Sequence, residues 1–140
     1  WKFQTDRWKP IRLLVSHHDA ATVHTFLRMA SICVVSSLHD GMNLVAKEYV
    51  SAQEEGDGAL VLSEFAGAAR DLPDALIVNP YDTEEFAEAL RQAVEMPPAE
   101  RRERMGRMRY AVEERNIYRW AADLLTTLAR AGKAETAPRA

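Results

Sequence analysis

A single cysteine, Cys33, stands in a chain of 140 residues, so no internal disulfide can hold this protein together. Cys33 lies in an apolar run and reads as a buried thiol in a reducing compartment, which points to the cytoplasm. No apolar stretch approaches the roughly 18–20 residues of a membrane span, and no secretory leader is visible. A dominant charge is lacking too. The 18 Lys and Arg against 21 Asp and Glu leave a net charge of −3, which argues against nucleic acid and membrane surfaces as partners. Cys-x-x-Cys and His-x-x-x-His spacings are absent. The neighbours His17, His18 and Asp19, like His39 and Asp40, diverge from a turn, so no metal is expected. No Gly-x-Ser-x-Gly turn presents a serine nucleophile. Arg101, Arg102, Arg104, Arg107 and Arg109 alternate with glutamates and read as a solvated, salt-bridged helix face.

What is present is ordinary for one globular domain, with 47% hydrophobic and 28% charged residues. Ile11–Ser16, Ile32–Ser36, Ala59–Ser63 and Ala75–Asn79 are short apolar runs that read as four strands. They alternate with helical patterns. The first helix, Ala20–Ala30, has Asp19 as its N-cap and Val23, Phe26, Leu27 and Ala30 as its inward stripe. The second runs from Asn43 to Gln53. Gly67 lies in a small-residue turn leading to a short helix that ends near Asp71 or Leu72. Asp82-Thr-Glu-Glu85 has the spacing of a capping box and opens a helix to about Val94, with Phe86, Ala89, Leu90 and Ala93 inward. Pro97 and Pro98 end it. Ala99–Glu114 is a charged helix with Met105, Met108 and Val112 on one side. Asn116 separates it from a last helix, Ile117–Arg130, with Trp120 as an anchor. Strands alternating with helices predict an α/β fold, a parallel sheet covered on both faces. Residues 1–131 form the domain, and 132–140 read as a flexible tail. The chain opens on Trp1 rather than Met, and its first ten residues lack periodicity, so it reads as a piece of a longer protein.

In such a sheet a ligand lies beyond the carboxyl ends of the strands. Ser16–Asp19, Ser36–Val45 and Ser63–Ala69 converge there. The centre is Leu38-His-Asp-Gly-Met-Asn-Leu-Val-Ala-Lys-Glu48, a strand end, a glycine turn and a helix start. A helix beginning near Asn43 leaves the Leu44 and Val45 amides unpaired at the positive end of its dipole, where a diphosphate is stabilised without a lysine. Glu48 lies one turn on from Leu44, about 6 Å along the axis, within reach of an adjoining ribose. Asp40 can accept hydroxyls on the other side of the phosphate, and Gly41 lets a ligand approach the backbone. Amides flanked by carboxylates suit a sugar nucleotide. An Asp-Gly turn and a glutamate in a helix's first turns also occur for purely structural reasons, and both readings stand at this point. Glu64, at another strand end, reads as an exposed turn carboxylate.

Three ordered segments carry a more specific signal: HDGMNLVAKEYV (His39–Val50), LSEFAGAA (Leu62–Ala69) and ALIVNPYDTEE (Ala75–Glu85). Together they resemble the trehalose-6-phosphate synthases, retaining glucosyltransferases of family 20. The resemblance covers about Trp8 to Leu128. It implies part of the C-terminal, Rossmann-like domain of a GT-B glycosyltransferase, the half that holds the nucleotide sugar. The implied reaction moves glucose from UDP-glucose, or a related nucleotide glucose, to glucose 6-phosphate with retention and without metal or cofactor. The resemblance places Asp40 on the donor glucose, as the catalytic residue of this segment, and sets Gly41, Met42 and Asn43 against the same sugar. It places the Leu44 and Val45 backbone on the diphosphate and Glu48 on the ribose, with Ala46 and Lys47 in the same donor-binding run. His18 stands where the family meets the base through backbone; an aromatic residue is common there, so the donor base is left open. The diphosphate clamp and the acceptor site are expected outside this chain, which should therefore be inactive alone. Part of the last helix's apolar stripe should then be exposed. The longer protein could be a homo-oligomer. A non-catalytic nucleotide-sugar-binding or regulatory homologue is the alternative.

Overall fold

The structure is a computed structural model that describes residues 5, 7–115 and 117–135, the last five of these by backbone alone. Its elements are α1 (Ala20–Met29), β1 (Ile32–Val35), α2 (Leu44–Ala52), β2 (Ala59–Ser63), a 3-10 turn (Gly67–Arg70), β3 (Leu76–Val78), α3 (Thr83–Glu95), α4 (Pro98–Glu114) and α5 (Ile117–Glu135). The three strands form a parallel sheet in the order β1-β2-β3, with Val34 opposite Val61 and Leu62 opposite Ile77. All five residues of β2 are buried, as a central parallel strand with both faces covered requires.

Alternate residues of β2 feed two cores. Leu60 and Leu62 face Val35, Ala46, Tyr49, Val50, Leu72, Met105 and Met108, so α2 and α4 cover that side. Ala59 and Val61 face Val78, Ala89 and Ala93, so α3 covers the other. Helices therefore lie on both faces of the sheet. The alanines of α2 and α3 are the residues that let each helix lie close on the strands.

The ends follow local chemistry. The Asp19 carboxylate accepts from the Thr22 amide at 2.8 Å, and Asp82 accepts from the Glu84 and Glu85 amides at 3.0 Å. The box at Asp82 is only half closed, because Glu85 accepts from the Asn79 amide instead of returning to Asp82. Pro98 occupies the first turn of α4, where its missing N–H is harmless. Gln53 and Tyr49 of α2 reach across to the last carbonyls of α1: Gln53 Nε2 donates to Leu27 O at 2.7 Å and Tyr49 Oη to Ala30 O at 3.1 Å.

Two expectations fail for one reason. Ile11–Ser16 is not a strand: it pairs with no strand among the described residues, and Leu13 and Val15 are more than four-fifths exposed. A strand needs a neighbour for its amides and carbonyls, and none lies beside it here. The stripe of α1 fails with it. Leu27 and Ala30 pack on the core, but Val23 and Phe26 are exposed, with no strand beside β1 on that side among the described residues. At the other end, α5 continues to Glu135, into the segment expected as a tail. Residues 1–4, 6, 116 and 136–140 lie outside the described structure, so the expectations placed on them have no counterpart here.

Candidate functional site

The loop from Ser36 to Asn43 leaves the carboxyl end of β1 and is fastened to the loop after β2. The Asp40 amide donates to Phe65 O at 3.2 Å, Gly67 N donates to Asp40 O at 2.9 Å, and Ala68 N to Met42 O at 2.7 Å. Two of the three segments expected to converge are thus bonded to one another. Gly67 is required for this approach, since a Cβ there would overlap the Gly41 carbonyl. The opposite holds at Gly41. A Cβ there meets nothing within 4 Å, and its φ is not positive. Neither packing nor backbone geometry explains that glycine.

The Asp40 carboxylate is turned into its own loop. Oδ1 accepts from the Met42 amide at 3.1 Å and the Asn43 amide at 2.9 Å, and Oδ2 accepts from Asn43 Nδ2 at 2.9 Å. These bonds, the Asn43 side chain's first among them, hold its pKa below the usual carboxylate range. Both oxygens keep further lone pairs. Asn43 is nearly buried in the left-handed region at φ 68°, where asparagine is tolerated. Its Oδ1 caps α2 by accepting from the Ala46 amide at 2.9 Å. Among the described residues the Leu44 and Val45 amides find no protein acceptor. They remain at the positive end of α2, beside the open side of Gly41.

The other residues of the run divide between two sides. Glu48 is exposed and shares a groove of about 500 Å³ with His18, Ala20, Val23, His24 and Leu27. The His18 ring is steadied there by Phe26, edge-on at 5.8 Å, and by Ser16 Oγ at 3.4 Å. Met42 and Leu44 face a second groove of about 330 Å³ with Lys47, Arg115, Ile117 and Trp120. Lys47 donates to Asp71 Oδ2 at 2.7 Å, and so points away from His18 and Glu48. The Ala46 side chain is fully buried and its amide is used by Asn43, which leaves it nothing to offer a ligand. Glu64 is an exposed turn residue. No group of three or more His, Cys, Asp or Glu that could hold a metal occurs among the described residues.

A family model, Glycosyltransferase family 20, matches residues 1–130. The chain belongs to glycosyltransferase family 20. Within that family it is 47% identical over 122 residues to the trehalose-6-phosphate synthase of Klebsiella pneumoniae subsp. pneumoniae, a match covering 86% of this chain and 26% of the relative. It resembles a solved chain from E. coli bound with UDP-2-fluoro glucose, at TM-score 0.85 and 43% identity, over 91% of this chain and 28% of that one. The UDP-forming α,α-trehalose-phosphate synthase of Burkholderia xenovorans in complex with glucose-6-phosphate matches at TM-score 0.86 and 44% identity, over the same 91% and 28%. This family 20 chain spans about a quarter of the length of the curated relatives it matches.

Some residues of the site carry no readable signal in the family 20 sequence. Val23 looks like a core position by its spacing and lies at the mouth of a groove. Gly67 is one small residue in Ala66-Gly-Ala-Ala69, and its contact with Gly41 is visible only in three dimensions. Asp71 is 24 positions from Lys47.

Proposed function

We propose that this chain is the donor-binding part of a trehalose-6-phosphate synthase, which moves glucose from UDP-glucose to glucose 6-phosphate with retention. One observation carries the reading: the Leu44 and Val45 amides stand unpaired at the start of α2, next to a glycine that the protein itself does not require. An anionic diphosphate supplies the acceptors those amides lack, and its bulk accounts for Gly41. Glu48, one turn further along α2, accepts the two ribose hydroxyls. The base then extends along the groove toward His18. The complexes of the relatives, one with UDP-2-fluoro glucose and one with glucose-6-phosphate, supply the same two substrate classes.

In this reading Asp40 has two tasks. It holds the Met42–Asn43 turn that aims the helix start, and its remaining lone pairs accept donor glucose hydroxyls above the turn. As the glycosidic bond breaks, charge grows on the departing diphosphate. Preorganised amides stabilise that charge without reorganising, which is where such a site lowers a barrier. The acceptor site and the rest of the diphosphate clamp belong to the longer protein, so this chain alone forms no trehalose 6-phosphate. The lone, half-buried Cys33 thiol fits a reducing, cytoplasmic setting. No helix among the described residues is long and apolar enough to cross a membrane.

The test is an amide-resolved titration of the chain with UDP-glucose. Shifts at Leu44, Val45 and Glu48, reproduced by UDP, are expected. Saturable binding that leaves those amides unmoved would overturn the assignment.

A further inference from the structure

We propose that Lys47 is a held cation of the donor site, which Asp71 restrains in the free protein and which moves onto the diphosphate when the nucleotide binds. The inference rests on the donor-site reading above. Lys47 lies three residues after Leu44, on the same face of α2, and helical side chains lean toward the N-terminus of their helix. It lines the groove at the start of α2 with Met42 and Leu44, the two residues that bracket the Asn43 cap. Its ammonium therefore stands within a side chain's swing of the Leu44 and Val45 amides.

Asp71 is built to let it go. Its Oδ2 accepts from Lys47 Nζ at 2.7 Å, and its Oδ1 accepts from Arg115 Nη1 at 2.7 Å. Burial pushes the Asp71 pKa up, but the hydrogen bonds to Lys47 and Arg115 outweigh it and hold the carboxylate below its ordinary range. When Lys47 departs, Arg115 remains and no carboxylate is left unpaired. The Lys47–Asp71 pair is part-buried, with about a quarter of the Lys47 side chain and a third of the Asp71 side chain exposed, so water still reaches it and weakens its hold. A diphosphate carries more charge than one carboxylate and sits at a helix dipole, so it competes well for the same ammonium. The arrangement adds a cation to the leaving group only while that group is present.

The idea makes an unusual demand on the two partners of one ion pair. If the pair were only structural, removing either partner would act in the same direction. If Asp71 restrains Lys47, Lys47→Met weakens UDP binding and Asp71→Asn strengthens it, each by about threefold for a solvent-screened interaction. Lys47→Arg should keep near wild-type affinity. Uridine, which has no phosphate, should bind all four proteins alike. Calorimetric titration of the chain and these variants with UDP and uridine reads every arm. Changes of the same sign in Lys47→Met and Asp71→Asn, or equal losses for uridine and UDP, overturn the proposal. A wild-type chain in which UDP moves neither Leu44 nor Val45 overturns the donor-site reading on which it stands.

Discussion

The carboxylate of Asp40 shows how one side chain can serve structure and chemistry at once. An aspartate before a glycine reads as a ligand for hydroxyls or as a turn residue, and the geometry makes it a turn residue with capacity to spare. The three bonds it accepts are stronger to its ionised form, which is why its pKa is lowered. A depressed pKa means that its stabilisation of the loop is complete above the ordinary aspartate value, about 3.9. It is lost as pH falls below that value through the folded pKa. The Met42 and Asn43 amide resonances, followed from pH 7 downward, should hold steady through pH 5 and move only in the acid range below the ordinary aspartate value. A midpoint above the ordinary aspartate value would contradict the bonding described. Nothing in the sequence near Asp40 distinguishes its two roles, because both use the same residue at the same turn.

Between elements, the contact that decides the site is the one between the loop after β1 and the 3-10 turn after β2. The strands on either side were legible from their apolar runs, and Ala59–Ser63 has the same limits in sequence and structure. The fastening of their loops was not legible, because it depends on the separation of two backbones rather than on a pattern along one. Gly67 makes that separation possible. Gly67→Ala should force the Gly41 segment outward, at a cost of about 1–3 kcal/mol typical of overpacking. Urea unfolding measures the loss, and hydrogen exchange should speed up at Gly67 and Ala68, two of the three donors of the fastening bonds. An alanine variant with unchanged exchange at both positions would show that the two loops are not held as described. Gly41→Ala, with open space around it, should leave folding stability within about 0.5 kcal/mol while weakening UDP binding.

Across the whole molecule, apolar surface is distributed unevenly. The core under β2 is closed on both faces, whereas α5 exposes Ile117, Trp120, Leu125 and Leu128 by more than half. That helix has the periodic apolar stripe expected of a packed one, and part of that stripe is exposed, as its sequence reading anticipated. The consequence for stability is directional. Leu62→Ala, in the fully buried central strand, should cost about 2–5 kcal/mol. Leu128→Ser should change stability by less than about 0.5 kcal/mol in this chain. Thermal and urea unfolding of the two variants give the comparison, and a large loss for Leu128→Ser would mean that α5 is held by the domain after all.

Periodicity, caps and turn residues act over three or four neighbouring positions, and so the helices α1 to α4, three of the strands, the caps at Asp19 and Asp82 and the unpaired amides at the start of α2 could all be read along the chain. The family could be read as well, because its motifs are runs of adjacent residues. Pairing and burial depend on what lies across a gap in space. Packing alone decided that Ile11–Ser16 joins no strand among the described residues, that Val23 faces a groove and that Lys47 leans on Asp71. Each of these depends on what lies across a gap in space, and a local pattern has no means of recording it.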